Sequence, residues 1–493
     1  MSKFVNSKES VISPLLLWQE VPTQVSVEGT YDLKIWPITN IYNDGPINFN
    51  LPPQPNGMLT NIDVVTRFSI WINGQRNTDF HKNLSIINNF SNALWELVEI
   101  RLDDRVELMQ SMRNAYAYQS FFNTALNNEA SHKDYLFENE LFIMDEGDDK
   151  ADAEDTHAVV TDLDYVTRKL LNTISSADDD GLSEVDGNYA TKIKDIMEDE
   201  SDSAVWSPNF GKNRASGIRA MRINKGQSVT VSSKLQVPLF TTQKCLPTNM
   251  KIRISLTKNT DDFLLLAEAA SKFEVHIDDI YLNATFYRPR DIILNEIEDQ
   301  LKINPAPYFI ARPELIIRPI THTNRIIRIN DVFHNKIPSY AFFCLQKSSD
   351  FEGKRTSSPF VFLPFSKFQF FINGMPYFVD PLETELTSDG TKLKSGPGQY
   401  LRQLYKTVGK DLRGNCLIDS TNFHLNFVVA VSFTADRSST STRYLNLQEN
   451  GSTYLEIDLG YDNNIPDDMI LITYALFDRQ IKLDSDRSVT IIE

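Results

Sequence analysis

Residues able to do chemistry are present in this chain, but few stand together. The seven histidines, His81, His132, His157, His276, His322, His334 and His424, are scattered. The nearest thing to a constellation is His276 with Asp278 and Asp279. Residues two apart on a strand share a face, so His276 and Asp278 can form a hydrogen-bonded pair or one corner of a metal site. The plainer reading is the polar face of a half-buried strand, and it is preferred here. The acidic run Asp178-Asp179-Asp180-Gly181 invites a calcium-loop reading. With Gly181 as the sixth residue of such a loop, position one is Ser176 and position twelve is Gly187, where a bidentate Glu is required. The signature fails, and a solvated charged loop is the better account. Gly211-Lys212-Asn213-Arg214 lacks the hydroxyl residue that follows the lysine of a phosphate-binding loop. Gly396-Pro397-Gly398 reads as a turn. Neither a Gly-x-Ser-x-Gly elbow nor a His-Glu-x-x-His helix occurs. Cys245, Cys344 and Cys416 lie far apart with no CxxC pair, against a disulfide framework or a zinc site. The reading therefore assigns no catalytic, cofactor-binding or metal-ligating residue and no cofactor.

Two clusters remain. Lys212, Arg214, Arg219, Arg222 and Lys225 form a basic stretch that can face nucleic acid or neutralise acidic residues beside it. It has no interleaved aromatic platform, so DNA contact is the weaker option. Phe360, Phe362, Phe365, Phe370 and Phe371 read as core rather than as a binding surface.

The elements that would position these residues are strands. Tyr31, Leu33 and Ile35 alternate with Asp32 and Lys34, the period of a half-buried strand. Further candidates are 47–51, 64–72, 97–102, 227–237, 250–256 and 273–287 in the first half. The second half offers 316–329, 340–346, 368–379, 424–433, 454–459 and 469–483. Regular alternation of strand and helix is absent. The fold class is mainly β, built as sandwiches or barrels.

The halves read as distant copies. Each has a strand, a turn and a strand: Leu97 to Val106, and Phe368 to Tyr377 with Asn373-Gly374 at the turn. Each then has an aromatic helical stretch, 115–122 and 399–405. An alternating strand follows, Val229/Val231/Leu235/Val237 against Leu455/Ile457/Leu459, and each half closes on a long strand. Between them Pro305, Pro307 and Pro313 mark a linker, with one helix expected over 291–300.

The net charge of −17 is local. Residues 145–202 hold 19 acidic and 5 basic side chains, a balance of −14 that leaves −3 for the rest. This stretch falls outside the β pattern and reads as a long loop insertion, with helical spacing at 165–174 and 189–197. The N-terminus is not a secretory signal, and no run approaches the roughly 18–20 apolar residues that span a bilayer. A soluble protein made in the cytosol is expected, with its glycosylation sequons unused.

Several stretches resemble the double jelly-roll capsid proteins of Maverick/Polinton elements and their adintovirus-like relatives. They are Tyr281-Leu282-Asn283-Ala284-Thr285-Phe286 leading through Ile303-Asn304-Pro305-Ala306, Ser358-Pro359-Phe360-Val361-Phe362 followed by Phe371-Ile372-Asn373-Gly374-Met375-Pro376, the passage from Asn88-Asn89-Phe90 to Leu126, and Tyr474-Ala475-Leu476-Phe477-Asp478. The resemblance covers 25–144 and 220–493; the acidic insertion departs from it. It implies two tandem eight-stranded antiparallel jelly rolls: an arm at 1–25, a first jelly roll at 26–290, a linker at 291–313 and a second jelly roll at 314–493. It further implies a structural capsid protein, not an enzyme, forming pseudo-hexameric homotrimers that tile an icosahedral shell. Its partners would be neighbouring capsomers and penton or minor capsid proteins, with weak contact to packaged DNA and no small-molecule substrate. Its place would be the virion, after synthesis in the host cytoplasm, with the nucleus as a candidate site of assembly. The acidic insertion would lie on the outer rim or at a trimer contact. Two alternatives stand beside this: a minor capsid or spike protein on the same fold, and a carbohydrate-binding β-sandwich. The second expects paired carboxylates in a Trp- or Tyr-lined groove, whereas Trp18, Trp36, Trp71, Trp95 and Trp206 share no periodicity.

Overall fold

Among the described residues, eight strands of each half form its two main sheets, and short strands at Gln75–Arg76, Ser85–Ile86, Leu265–Leu266, Leu382–Glu383 and Val489–Ile492 add to their edges or pair apart. The computed structural model describes residues 23–42, 45–77, 84–102, 106–110, 113–145, 214–223, 226–242, 244–267, 272–320, 325–353, 358–387, 393–394, 396–410, 414–434, 450–460 and 469–492. The arm through residue 22, the expected helices at 165–174 and 189–197, and the acidic insertion beyond Asp145 lie outside them.

The first half contains β1 (Val27–Ile35), β2 (Ile47–Leu51), β3 (Met58–Ile72), β4 (Trp95–Leu102), β5 (Val106–Gln110), β6 (Val229–Lys234), β7 (Ile252–Lys258) and β8 (Phe273–Pro289). They pair antiparallel in two sheets, β1-β8-β3-β6 and β2-β7-β4-β5. The second half contains β9 (Ala306–Ile320), β10 (Ile326–Asn330), β11 (Tyr340–Lys347), β12 (Lys367–Ile372), β13 (Met375–Pro376), β14 (Val429–Ser432), β15 (Thr453–Asp458) and β16 (Met469–Leu483). Its sheets are β9-β16-β11-β14 and β10-β15-β12-β13. In both halves the order is first-eighth-third-sixth against second-seventh-fourth-fifth. The two sandwiches repeat one winding order. This is the double jelly roll.

Period-two patterning builds the first sandwich. Phe68 and Ile70 on β3 point inward with Ile254 and Leu256 on β7 and Val98 and Ile100 on β4, all at 1% exposure or less. The second core is aromatic: Phe343 lies 5.2 Å from Phe368 and 5.8 Å from Phe370, ring centre to ring centre. The β12–β13 hairpin turns at Asn373 and Gly374, both with positive φ (50° and 80°), the geometry that suits the right-handed twist of the strands.

Among the described residues, five helices of eight residues or more are set between strands: α1 (Ala115–Asn127), α2 (Lys133–Glu140), α3 (Arg214–Ile223), α4 (Asp291–Ile303) and α5 (Gly398–Thr407). Helices α1 and α5 occupy the same topological place, between the fifth and sixth strands of their halves.

Three expectations need correction. Residues 316–329 are not one strand; β9 and β10 share that span. The linker is shorter than 291–313, because β9 begins at Ala306 and runs through Pro307, Pro313 and Pro319. These prolines are tolerated because β9 is an edge strand, bonded only to β16. In an antiparallel edge strand, alternate residues turn their N–H away from the neighbour. All three prolines fall at odd positions, hence in one alternate set. The Pro307 carbonyl accepts from Lys244 Nζ at 2.7 Å, as suits a set that turns away from β16. Finally, 229–237 and 455–459 are not counterparts: the counterpart of β6 is β14, and that of β15 is β7. Strand β14 is buried at every position, so it shows no alternation to read.

Candidate assembly surfaces

In the second half's β9-β16-β11-β14 sheet, β11, β14 and the first part of β16 are buried on both faces. Tyr340, Ala341, Phe342, Phe343, Cys344, Leu345 and Gln346 are buried in succession, as are Met469 to Ala475 on β16. One face closes the sandwich. The other carries Phe342 and Tyr474, paired across the strands, and is covered by α1 of the first half. Phe122 lies 5.4 Å from Tyr474 and 5.7 Å from Phe362, and Phe121 stacks on Phe360 at 4.7 Å, only 3° from parallel. The fully buried Tyr118 hydroxyl lies 2.9 Å from both Gln346 Oε1 and the Pro359 carbonyl. Burial raises its pKa far above the usual phenol range, so it is a donor at any physiological pH. Gly353 approaches Phe263 so closely that an added Cβ would lie 2.7 Å from the Phe263 Cα.

These contacts answer the reading of the phenylalanine cluster. Phe360, Phe362, Phe365 and Phe370 are core residues at 1% exposure or less, and half-buried Phe371 packs on Tyr454 at 5.3 Å. The role of α1 as a seam between halves was not recognised from sequence. A signal exists: the apolar run at 340–345, and that at 469–475 broken only by Thr473, mark strands covered on both faces.

The equivalent outer face of the first half is polar. Asp63, Val65, Arg67, Ser69 and Trp71 on β3 lie there, beside His276 and Tyr281 on β8. His276 and Asp278 do meet, with Nδ1 3.3 Å from Oδ1. The imidazole stacks on Trp71 at 4.3 Å and on Tyr42 at 5.6 Å. Asp278 also accepts from Ser69 Oγ at 2.9 Å and Ser228 Oγ at 2.8 Å, with Arg76 3.8 Å away. Burial opposes its charged form, but the bonds from Ser228, Ser69 and His276 and the Arg76 charge outweigh it and hold the carboxyl below its ordinary range. Asp279 does not join them; a bulge after Ile277 shifts the register there, and Asp279 pairs with Arg67. Among the described residues, no three His, Cys, Asp or Glu side chains are grouped to hold a metal ion. Cys344 and Cys416 are buried free thiols and Cys245 is half-buried.

The basic stretch is dispersed. Arg219 is fully buried: it donates to Asp145 Oδ1 at 2.7 Å and to the carbonyls of Ile86 and Ile143 at 3.0 Å. It ties α3, on the far side of the acidic insertion, to Asp145 at the start of that insertion. Arg222 is exposed, pairs with Glu138 and lies over the Phe137 ring. Lys212 and Lys225 lie outside the described residues.

No protein-family profile matches the sequence, and no curated protein matches it. Solved structures do. A structure of the Sputnik virophage aligns over 99% of this chain and 93% of its own, with TM-score 0.53 and 9% identity. The PBCV-1 virus capsid aligns over 97% of this chain and 99% of its own, at 0.52 and 7%. The mavirus major capsid protein aligns over 100% and 96%, at 0.51 and 10%. This chain has the fold of those capsid proteins. At such identities the likeness is one of fold, and here it extends over both jelly rolls.

Proposed function

We propose that this chain is the structural building block of an icosahedral viral shell, a major capsid protein that assembles as pseudo-hexameric homotrimers. The observation that carries this reading is the double jelly roll over the whole chain, in near end-to-end alignment with capsid proteins. The reading assigns no reaction. Its units are a first jelly roll over 26–290 bearing the acidic insertion 145–202, a second from 306 onward, and an arm at 1–25 that engages a neighbouring subunit or a penton protein. Neighbouring capsomers and minor capsid proteins are its partners, and the virion is its place, with synthesis in the host cytoplasm and assembly there or in the nucleus. A weak contact with packaged DNA would rest on Lys212 and Lys225, since Arg219 is committed to Asp145. Kinship with Maverick/Polinton and adintovirus-like capsids rests on the sequence resemblance.

Light scattering after size exclusion tests the reading on the full chain. A species near three times 56.4 kDa is expected, followed by shells or capsomer arrays in electron micrographs. A protein that stays monomeric at every concentration would remove the shell role.

A further inference from the structure

The edge of β9 is interrupted by proline but not closed. Pro307, Pro313 and Pro319 take donors out of the set that turns away from β16. Phe309 and Ala311, between the first two prolines, belong to that same alternate set and keep their N–H groups. Each turns one N–H and one C=O outward, and among the described residues neither has a hydrogen bond on that side. Phe309 is also 39% exposed, unusual for a large apolar side chain in a strand.

A groove of about 380 Å³ lies beside this pair. It is bordered by Pro238 and Lys244 from the loop after β6, by Asn123 of α1, and by Phe309, Ala311 and Tyr474. Phe309 stands opposite Gln480, six residues from Tyr474 along β16, so the groove follows the strands for about 20 Å. Two features of its border say what it takes. Among the described residues, Lys244 is the only charged one there. Its Nζ gives one bond to the Pro307 carbonyl at 2.7 Å and lies 5.5 Å from the Phe309 ring centre, which leaves the ammonium with donors to spare. Tyr474 is 2% exposed, yet its hydroxyl has no hydrogen-bond partner among the described residues. A buried hydroxyl without a partner is costly, so a ligand that offers it an acceptor gains.

We propose that this groove is a docking site for an extended acidic peptide segment of another protein, which adds a short strand to β9 at Phe309 and Ala311 and sets a carboxylate against Lys244. A purely apolar ligand would leave the edge groups, the ammonium and the Tyr474 hydroxyl unanswered. An extended chain answers all of them, because it carries a donor and an acceptor at every residue and side chains that alternate between the groove and solvent. Pro307 and Pro313 bracket the outward pair and so limit the added strand to a short one, which an open edge would not. The site is complete in one chain and does not depend on the assembled state.

Fluorescence anisotropy on the full-length protein tests it, with a labelled, end-capped hexapeptide of alternating valine and glutamate as the probe. Saturable one-to-one binding is expected. The same peptide with lysine in place of glutamate should bind about tenfold more weakly or worse, since it meets Lys244 with a like charge. The acidic peptide with methylated backbone nitrogens should lose as much, because it cannot donate to a strand edge. On the protein, Ala311→Pro removes an outward N–H at a position of the kind that already carries proline, and Lys244→Gln removes the charge. Each should weaken binding about tenfold with an unchanged circular dichroism spectrum. No saturable binding of the acidic peptide, or equal binding of the lysine or methylated peptide, overturns the proposal, and these three arms use the unaltered protein. A folded Ala311→Pro or Lys244→Gln variant that binds as tightly as the parent overturns it as well.

Discussion

Arg219 keeps its whole guanidinium inside the protein, with Asp145 only 4% exposed beside it. A buried pair of this kind contributes little over an apolar pair of the same shape, but losing one partner strands the other charge. Arg219→Met is therefore expected to cost about 3–5 kcal/mol in urea unfolding, and adding Asp145→Leu to recover most of the loss. A single variant as stable as the parent would show that Asp145 finds water. Glu140 makes a pH-dependent prediction. Burial raises its pKa to about 7, against the pull of the hydrogen bond from Asn92, while an unfolded carboxyl titrates near 4.5. The folded state thus holds a proton that the unfolded state has released. This penalty is absent below 4.5, grows as pH rises toward 7 and is complete above it. At about 1.4 kcal/mol per unit, it reaches the order of 3 kcal/mol. Glu140→Gln should be more stable than the parent at pH 8 by up to that amount, with the gap closing by pH 4. A gap independent of pH would place the proton elsewhere.

At the scale of elements, the edge strand β9 carries the clearest device. Pro307, Pro313 and Pro319 remove every third donor of the set that faces away from β16, which spoils the edge as a template for another strand. Pro313→Val should leave the unfolding midpoint within about 0.5 kcal/mol, as for a surface change. It should also raise light scattering on storage, because one more N–H is offered at the edge. Unchanged scattering would mean that the remaining prolines or a neighbouring subunit protect the strand. Strands are legible where an apolar or alternating run ends abruptly, as at 47–51 and 469–483. They are less legible where a buried run continues beyond the strand, as over 425–428 before β14, or where proline sits on an edge, as in β9. The same limit hid the seam. Tyr118, Phe121 and Phe122 read as an aromatic helix, and only tertiary structure shows that their partners are Gln346, Phe360 and Tyr474, more than two hundred residues away. His276 with Asp278 was legible as a pair, because a strand puts alternate residues on one face. The bulge that excludes Asp279 has no sequence signature.

For the whole molecule, the charge distribution makes the last prediction. Residues 146–213 hold 18 acidic and 6 basic side chains, a balance of −12 out of −17, which leaves −5 for all the other residues together. The roots of this segment are joined by the Asp145–Arg219 bond. Arg219 lies five residues into the chain beyond it, and α3 starts at Arg214, so the two roots are about 8 Å of helix and one ion pair apart. A Gly/Ser linker of about ten residues spans roughly 17 Å and should replace 146–213 without strain, provided Asp145 and Arg219 are kept. The shortened chain is expected to fold with an unfolding midpoint close to the parent's. Assembly should differ. If the insertions of neighbouring subunits stand near one another on the outer rim, their like charges repel over about a Debye length. Raising salt from about 20 mM to about 300 mM should then promote assembly of the parent, as screening shortens that length from roughly 20 Å to under 10 Å. The shortened chain should assemble at low salt already, with little response to added salt, as followed by turbidity and electron microscopy. Equal salt dependence in the two proteins would place the insertions too far apart to feel one another. The −12 would then act on solubility of the free subunit rather than on the contacts that close the shell.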